Sequence, residues 1–361
     1  MQFTAAVLVE TGKPLELLKL ETLPLKEGQV LVEVAYSGIC HTQLLECDGA
    51  RGEDRYLPHC LGHEGSGKVL EIGTGVTHCA PGDHVVLSWL EGPGINAGGT
   101  TYQEQGPGRT INSGPLTTFS THAVVSENRV TRISADFPLD QAAFLGCAVP
   151  TGLGSVVHTA KVQEGESCIV WGAGGVGLSA LMGAKLTNAN PIVAIDISTE
   201  RLEAAKQAGA TNCLNANEVD VQAELQKIFP EGVDFAFEAT GDAKVMAEAI
   251  SSTKRKGGTT VIIGNAPHGD RIELDPLQFN LGKRVFGSWG GDAHPERDIP
   301  FFCRLANHGQ IDLSPLRSSA YRLDEINLAL DDLRNKKVVR PLIDMHLHTK
   351  VSHEEESDFS I

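Results

Sequence analysis

Three things are scarce in this chain, and each scarcity removes a class of function. Positive charge is short: Lys and Arg number 30 against 46 Asp and Glu, a formal net charge of −16, so no basic groove for nucleic acid is expected. Long apolar runs are missing too, and none reaches the length of a bilayer. The opening MQFTAAVLVE also lacks the basic start and long apolar core of an export signal, so the expectation is a cytoplasmic protein without a membrane partner. Closely spaced cysteine pairs are absent. The eight cysteines (40, 47, 60, 79, 147, 168, 213 and 303) are scattered, which argues against a disulfide framework and leaves burial or metal ligation. What is present is globular: 361 residues, 41% hydrophobic and 21% charged, enough for two packed domains.

The texture changes along the chain. Short β-branched runs at 29–36, 67–72, 84–88 and 123–133, separated by glycine turns, read as an all-β region. From about Pro150 strands alternate with helical segments: strands at 167–171, 192–196, 212–215, 233–238, 259–264 and 284–288, and helices at 176–187, 200–208, 221–228 and 243–253. Six strands joined by helices predict a doubly wound parallel sheet of the α/β class. After Gly291 the pattern is mixed, with a helical stretch at 323–335 and an apolar run at 338–345 suited to rejoin the first domain. The expected division is 1–149 with 291–361 as one domain and 150–290 as the other. Residues 90–114, dense in Gly, Pro and Asn, read as surface loop. The polar, acidic tail from His346 reads as disordered, and His346 and His348 are discounted as metal ligands.

Gly172-Ala173-Gly174-Gly175-Val176-Gly177 follows a predicted strand and opens a predicted helix, the context in which a glycine pattern binds a dinucleotide. Gly172 suits a tight turn, Gly174 close approach to pyrophosphate, and Gly177 helix-to-strand packing, with free N–H groups at the helix start facing the anion. Asp196 ends the next strand roughly 20 residues on, where a carboxylate accepts ribose hydroxyls and repels a 2′-phosphate. NAD is therefore preferred over NADP, with Arg201 as a nearby second ribose contact that pulls the other way.

Cys40 (SGICHT), His63 (LGHEGSG) and Cys147 (LGCAVP) are ligand types suited to Zn²⁺, and three protein ligands leave a fourth position for chemistry. Spacing alone is weak here. Gly62-His63-Glu64 followed by Gly67 and Gly73, with Gly38-Ile39-Cys40, the Pro81-Gly82-Asp83 turn and the glycine fingerprint, resembles the zinc-dependent medium-chain alcohol dehydrogenases from about Thr4 to Met345. That resemblance implies a GroES-like, largely β catalytic domain beside a Rossmann domain, with the active site between them. It implies one catalytic zinc on Cys40, His63 and Cys147, with Glu64 beside it and Thr42 receiving the substrate proton. By the same comparison His41 and Arg340 contact pyrophosphate, Thr151 and Val176 flank the nicotinamide, Ile263 and Ser288 lie near its carboxamide, and Trp89 and Phe119 wall the substrate pocket. A homodimer or homotetramer is the expected assembly. Zinc then makes an alcohol's ionisation accessible near neutral pH, and hydride passes to the nicotinamide.

The chain departs from that family at three places. Residues 90–114 hold none of the four cysteines that many relatives use for a second, structural zinc, so one zinc per subunit is expected. Gln43 replaces a carboxylate beside the zinc-bound histidine, and an amide raises that ligand's basicity less. Leu45 replaces a histidine that finishes the proton relay in some members; Thr42 then hands its proton to the cofactor ribose and water, or His41 substitutes. The reading is a zinc oxidoreductase passing hydride between a primary or secondary alcohol (polyol, sugar or cyclitol among the candidates) and NAD. Its rivals are an NADP-linked carbonyl reductase and a non-catalytic dinucleotide-binding scaffold.

Overall fold

A computed structural model describes residues 1–347, and the expectations placed on the tail from His348 onward lie outside the described residues. Two β structures make up the N-terminal region. Strands Gln2–Leu8, Glu16–Thr22, Thr100–Glu104, Thr110–Ser113 and His59–Cys60 close a barrel. A second sheet runs Val130–Arg132, His84–Ser88, Glu64–Ile72, Gln29–Gly38, Leu342–Asp344, Ala320–Tyr321, with His122–Ser126 also on Gln29–Gly38. Gln29–Gly38 is central and covered on both faces, which is why its sequence QVLVEVAYSG is nearly continuously apolar rather than alternating.

The late run at 338–345 does return to this sheet. Leu342 pairs with Gly38 in an antiparallel register, and Ile39 N–H donates to the Pro341 carbonyl at 3.0 Å. This places Arg340 against the corner where Gln29–Gly38 gives way to helix α1 (His41–Cys47).

The middle of the chain is a six-stranded, all-parallel sheet ordered Asn212–Asn215, Ile192–Asp196, Cys168–Trp171, Phe235–Glu238, Thr259–Ile262, Arg284–Gly287. Strand order reverses on either side of Cys168–Trp171, so a crevice opens at its carboxyl end. Three of the connecting helices begin on side-chain caps: Ser198, Asp220 and Asp242 each accept a backbone N–H from the first turn that follows. Helix α2 (Ala148–Gly154) and helix α3 (Gly175–Leu186) pack on each other and carry one hydrophobic core across both regions, from Val86 and Phe144 to Val170 and Phe237. Among the described residues no single helix is long and apolar enough to cross a membrane.

Residues 90–114 differ from the loop expected of them. They contain the hairpin Thr100–Glu104 and Thr110–Ser113, which pairs with Glu16–Thr22 and completes the barrel. Tyr102 and Ile111 point inward and are buried, and Tyr102 Oη accepts the Val124 N–H at 2.8 Å. Gly, Pro and Asn at the ends of this segment mask a strand pattern only five residues long.

Candidate active site

Three separate segments bring the expected metal ligands together. Cys40 lies just beyond strand Gln29–Gly38, and His63 just before strand Glu64–Ile72. Cys147 sits between the turn Ala143–Gly146 and α2. The sheet register holds them: Glu64 pairs with Ser88, whose hydroxyl donates to the Gly146 carbonyl at 2.8 Å. Gly38 is required at the same corner, since a Cβ there would stand 2.1 Å from Glu64 Oε1. The ligand atoms of Cys40, His63 and Cys147 all lie within 4.8 Å of one another, with His63 Nε2 3.3 Å from Cys147 Sγ.

The surroundings fit a divalent cation. Glu64 and Arg340 are both buried and form an ion pair, with Nε 2.7 Å and Nη2 2.6 Å from Glu64 Oε1. With both thiols ionised, as zinc ligands are, two thiolates and one carboxylate against one guanidinium leave two negative charges in a buried site, which Zn²⁺ would neutralise with its preferred sulfur and nitrogen donors. The two thiols already interact: the hydrogen bond from Cys147 pulls Cys40 well below its ordinary pKa, and the same bond pushes Cys147 up. Burial raises the Glu64 carboxyl, and Arg340 opposes that rise.

A cleft of about 720 Å³ runs from Cys40, His41 and Thr42 across the crevice to Asp196 and Arg201. Gly172, Gly174, Gly175, Val176, Ile263 and Arg340 also line it. Gly172 has φ +89°, and a Cβ on Gly177 would fall 1.8 Å from the Gly172 carbonyl oxygen, so the turn and the helix-to-strand contact both demand glycine. Polar atoms are left buried without hydrogen-bond partners at Arg201 (Nε) and Thr151 (Oγ1). Such orphans beside a glycine loop and a helix N-terminus fit a polar, anionic dinucleotide.

Sequence comparison agrees with this geometry. Residues 26–135 match the family model described as alcohol dehydrogenase GroES-like domain, and residues 175–305 match zinc-binding dehydrogenase. An S-(hydroxymethyl)glutathione dehydrogenase of Photobacterium damsela subsp. piscicida is 37% identical, over 95% of this chain and 100% of its own. Two solved structures superpose over 95% of this chain and 99% of theirs. They are an alcohol dehydrogenase zinc-binding domain protein from Burkholderia ambifaria (TM-score 0.88, 30% identity) and benzyl alcohol dehydrogenase from Acinetobacter calcoaceticus (TM-score 0.85, 32% identity). This chain belongs to the zinc-dependent alcohol dehydrogenase family.

The dehydrogenase is thus a zinc-family oxidoreductase of alcohols, with a GroES-like catalytic domain and a Rossmann domain. Not every expected site residue reaches the cleft. Phe119 is fully buried in a core cluster with Leu8, Ile39 and Leu44, packed beneath Gly62, so it serves packing and not the cleft wall. Ser288 lies outside the cleft lining, its hydroxyl 2.7 Å from Thr159 Oγ1. Trp89 stands edge-to-face with Trp289 at 5.1 Å between ring centroids. Sequence reasoning missed Trp289, which is 78% exposed. Its position just past the last parallel strand, where such sheets carry their ligands, is the signal that could have found it. Asn265 and Lys336, on the cleft wall, were missed too.

Proposed function

We propose that the dehydrogenase oxidises alcohols with NAD, and reduces carbonyls with NADH, on a single zinc held by Cys40, His63 and Cys147. Asp196 carries the choice of NAD. Its carboxylate accepts the N–H groups of Ala173 (2.7 Å), Ile197 (2.8 Å) and Ser198 (3.0 Å), and so stands fixed in the cleft wall where an added 2′-phosphate would meet it. Arg201 is drawn the other way, its Nη2 donating to the Val338 carbonyl at 3.2 Å.

When bound, zinc supplies the positive charge that makes a substrate hydroxyl acidic and a carbonyl electrophilic. Thr42, on the cleft wall with Oγ1 3.7 Å from Cys40 Sγ, receives the hydroxyl proton. Leu45 is buried and apolar and carries no proton, so the path to solvent runs by the cofactor's ribose hydroxyl and His41, exposed at the cleft rim. Arg340 reaches both the Glu64 carboxylate and Gly175 of the glycine loop, and holds the pyrophosphate with His41. Thr151, Val176 and Ile263 surround the nicotinamide. Residues 150–290 form the dinucleotide unit, and the lobe at 90–114 needs no structural zinc. The assembly is a homodimer, or a tetramer built from it. Eight free cysteines suit a reducing, cytoplasmic setting.

The Trp89–Trp289 pair favours substrates with a flat apolar group over a polyol, sugar or cyclitol. Trp89 directly follows Ser88, whose hydroxyl donates to the Gly146 carbonyl beside Cys147. A benzyl alcohol dehydrogenase is among the superposing structures. The test is steady-state turnover over benzyl alcohol, cinnamyl alcohol, hexanol, glycerol, sorbitol and inositol with each cofactor. The expected kcat/KM is at least ~10-fold higher for the apolar alcohols, and on the order of 100-fold higher with NAD than NADP. Preference for a polyol overturns the substrate reading, and preference for NADP overturns the Asp196 argument.

A further inference from the structure

Gln43 stands between two of the metal ligands, with its one amide oxygen turned to Cys40 and its nitrogen to His63. At the third position of α1 it reaches back with Oε1 to accept the Cys40 N–H at 2.9 Å, and it presents Nε2 to His63 Nδ1 at 2.7 Å. The side chain is buried. Among the described residues neither Cys40 N nor His63 Nδ1 has another hydrogen-bond partner.

The conflict follows from the inventory of donors. A primary amide has one acceptor oxygen, and the Cys40 N–H can only donate. His63 Nδ1 donates or accepts according to which ring nitrogen holds the proton. Its Nε2 faces the sulfurs, 3.3 Å from Cys147 Sγ. A neutral imidazole that gives Nε2 to a metal keeps its proton on Nδ1 and needs an acceptor there. With zinc on Nε2, two N–H groups therefore converge on a side chain with one oxygen. A carboxylate would satisfy both.

We propose that Gln43 is a metal-responsive positioning residue: its amide caps the Cys40 turn while the imidazole proton is on Nε2, and turns over to accept the Nδ1 proton when zinc is held. The imidazole carries one proton before and after, and only the nitrogen that bears it changes. Rotation about the last side-chain torsion exchanges oxygen and nitrogen within nearly the same volume, so a buried amide can make it without repacking its neighbours. The Cys40 N–H then loses its hydrogen-bond partner while its own thiolate is held by the metal. Metal loading and the order of the catalytic corner are coupled through one amide.

This inference rests on the assignment of zinc to Cys40, His63 and Cys147, and the experiment separates the two. Backbone hydrogen exchange at Cys40 is followed by NMR in zinc-free and zinc-loaded protein, for the wild type and for Gln43→Glu, and zinc affinity is measured by chelator competition. In the wild type, protection of the Cys40 amide is expected to fall at least ~10-fold on loading. In Gln43→Glu that protection is retained, and zinc binds on the order of 10-fold tighter. The exchange comparison distinguishes a second acceptor from mere added charge, and the wild-type arm stands even if the variant folds poorly. Zinc that binds while the wild-type Cys40 amide stays equally protected overturns the role of Gln43. A protein that takes up no zinc overturns the metal assignment itself.

Discussion

Arg340 and Glu64 meet from opposite ends of the chain, and their pairing is where single residues matter most. Arg340 places both Nε and Nη2 on the one oxygen Oε1, while Oε2 faces the Ala148 N–H at 3.4 Å. Burial works against the guanidinium charge, but Cys40, Glu64 and Cys147 together hold it firmly in place. Removing one partner leaves the other charge buried and unpaired, which costs about 3–5 kcal/mol, whereas removing both costs much less. Arg340→Met is therefore expected to lose about that much stability in urea unfolding, and Arg340→Met with Glu64→Gln to regain at least half of it. The two Arg340 variants also lose NADH affinity, because the guanidinium leaves the glycine loop, while Glu64→Gln alone keeps it. Strictly additive stability losses would show that the pair is not coupled.

Among the elements, the lobe at 90–114 is held by a carboxylate. Glu127 is fully buried, and its Oε1 accepts the N–H groups of Thr77 (2.6 Å) and His78 (2.9 Å), while Oε2 accepts that of Ile95 at 2.7 Å. Burial alone would raise its pKa, but these hydrogen bonds win and hold it at about 2. A carboxyl depressed from 4.5 to about 2 contributes on the order of 3 kcal/mol, present above pH 4.5 and lost as pH falls toward 2. Glu127→Gln is expected to lower the melting temperature by a few degrees at pH 7 and to speed exchange of the Ile95 and Thr77 amides, with the difference from wild type shrinking below pH 4.5. A gap that stays constant down to pH 3 would refute the charge argument. This lobe also marks the limit of what the sequence disclosed. Strand Asn212–Asn215 and helix Val221–Ile228 fall where the alternating pattern of strands and helices put them, because each βα unit is written locally. The hairpin at Tyr102 and Ile111 depends on pairing Leu20 with Glu104, a contact between distant segments that no local pattern announces. Cys40, His63 and Cys147 were legible through their sequence context, whereas burial removed Phe119 from the site and a Thr159 hydrogen bond tied up Ser288.

At the scale of the whole molecule, one border of the parallel sheet is unfinished. Among the described residues, strand Arg284–Gly287 is an edge, paired only with Thr259–Ile262, and leaves half of its backbone hydrogen-bonding groups without a strand partner. Large apolar side chains are exposed on and just before it: Phe286, Leu277, Phe279 and Ile272. An uncovered edge beside apolar surface suits a second copy related by a twofold axis, which would continue the sheet and cover those side chains at once. The net charge of −16 opposes association at long range, so the contact must rest on short-range apolar burial and is expected to tolerate, or gain from, added salt. Sedimentation should find the 38.5 kDa chain as a dimer or a multiple of it. Phe286→Asp should weaken the pair on the order of 100-fold by placing a charge at its centre. The strand's carboxyl end leads to Trp289, so loss of pairing should also raise KM for apolar alcohols more than it lowers NADH affinity. A wild-type chain that sediments as a monomer at micromolar concentration would leave this edge without the proposed partner.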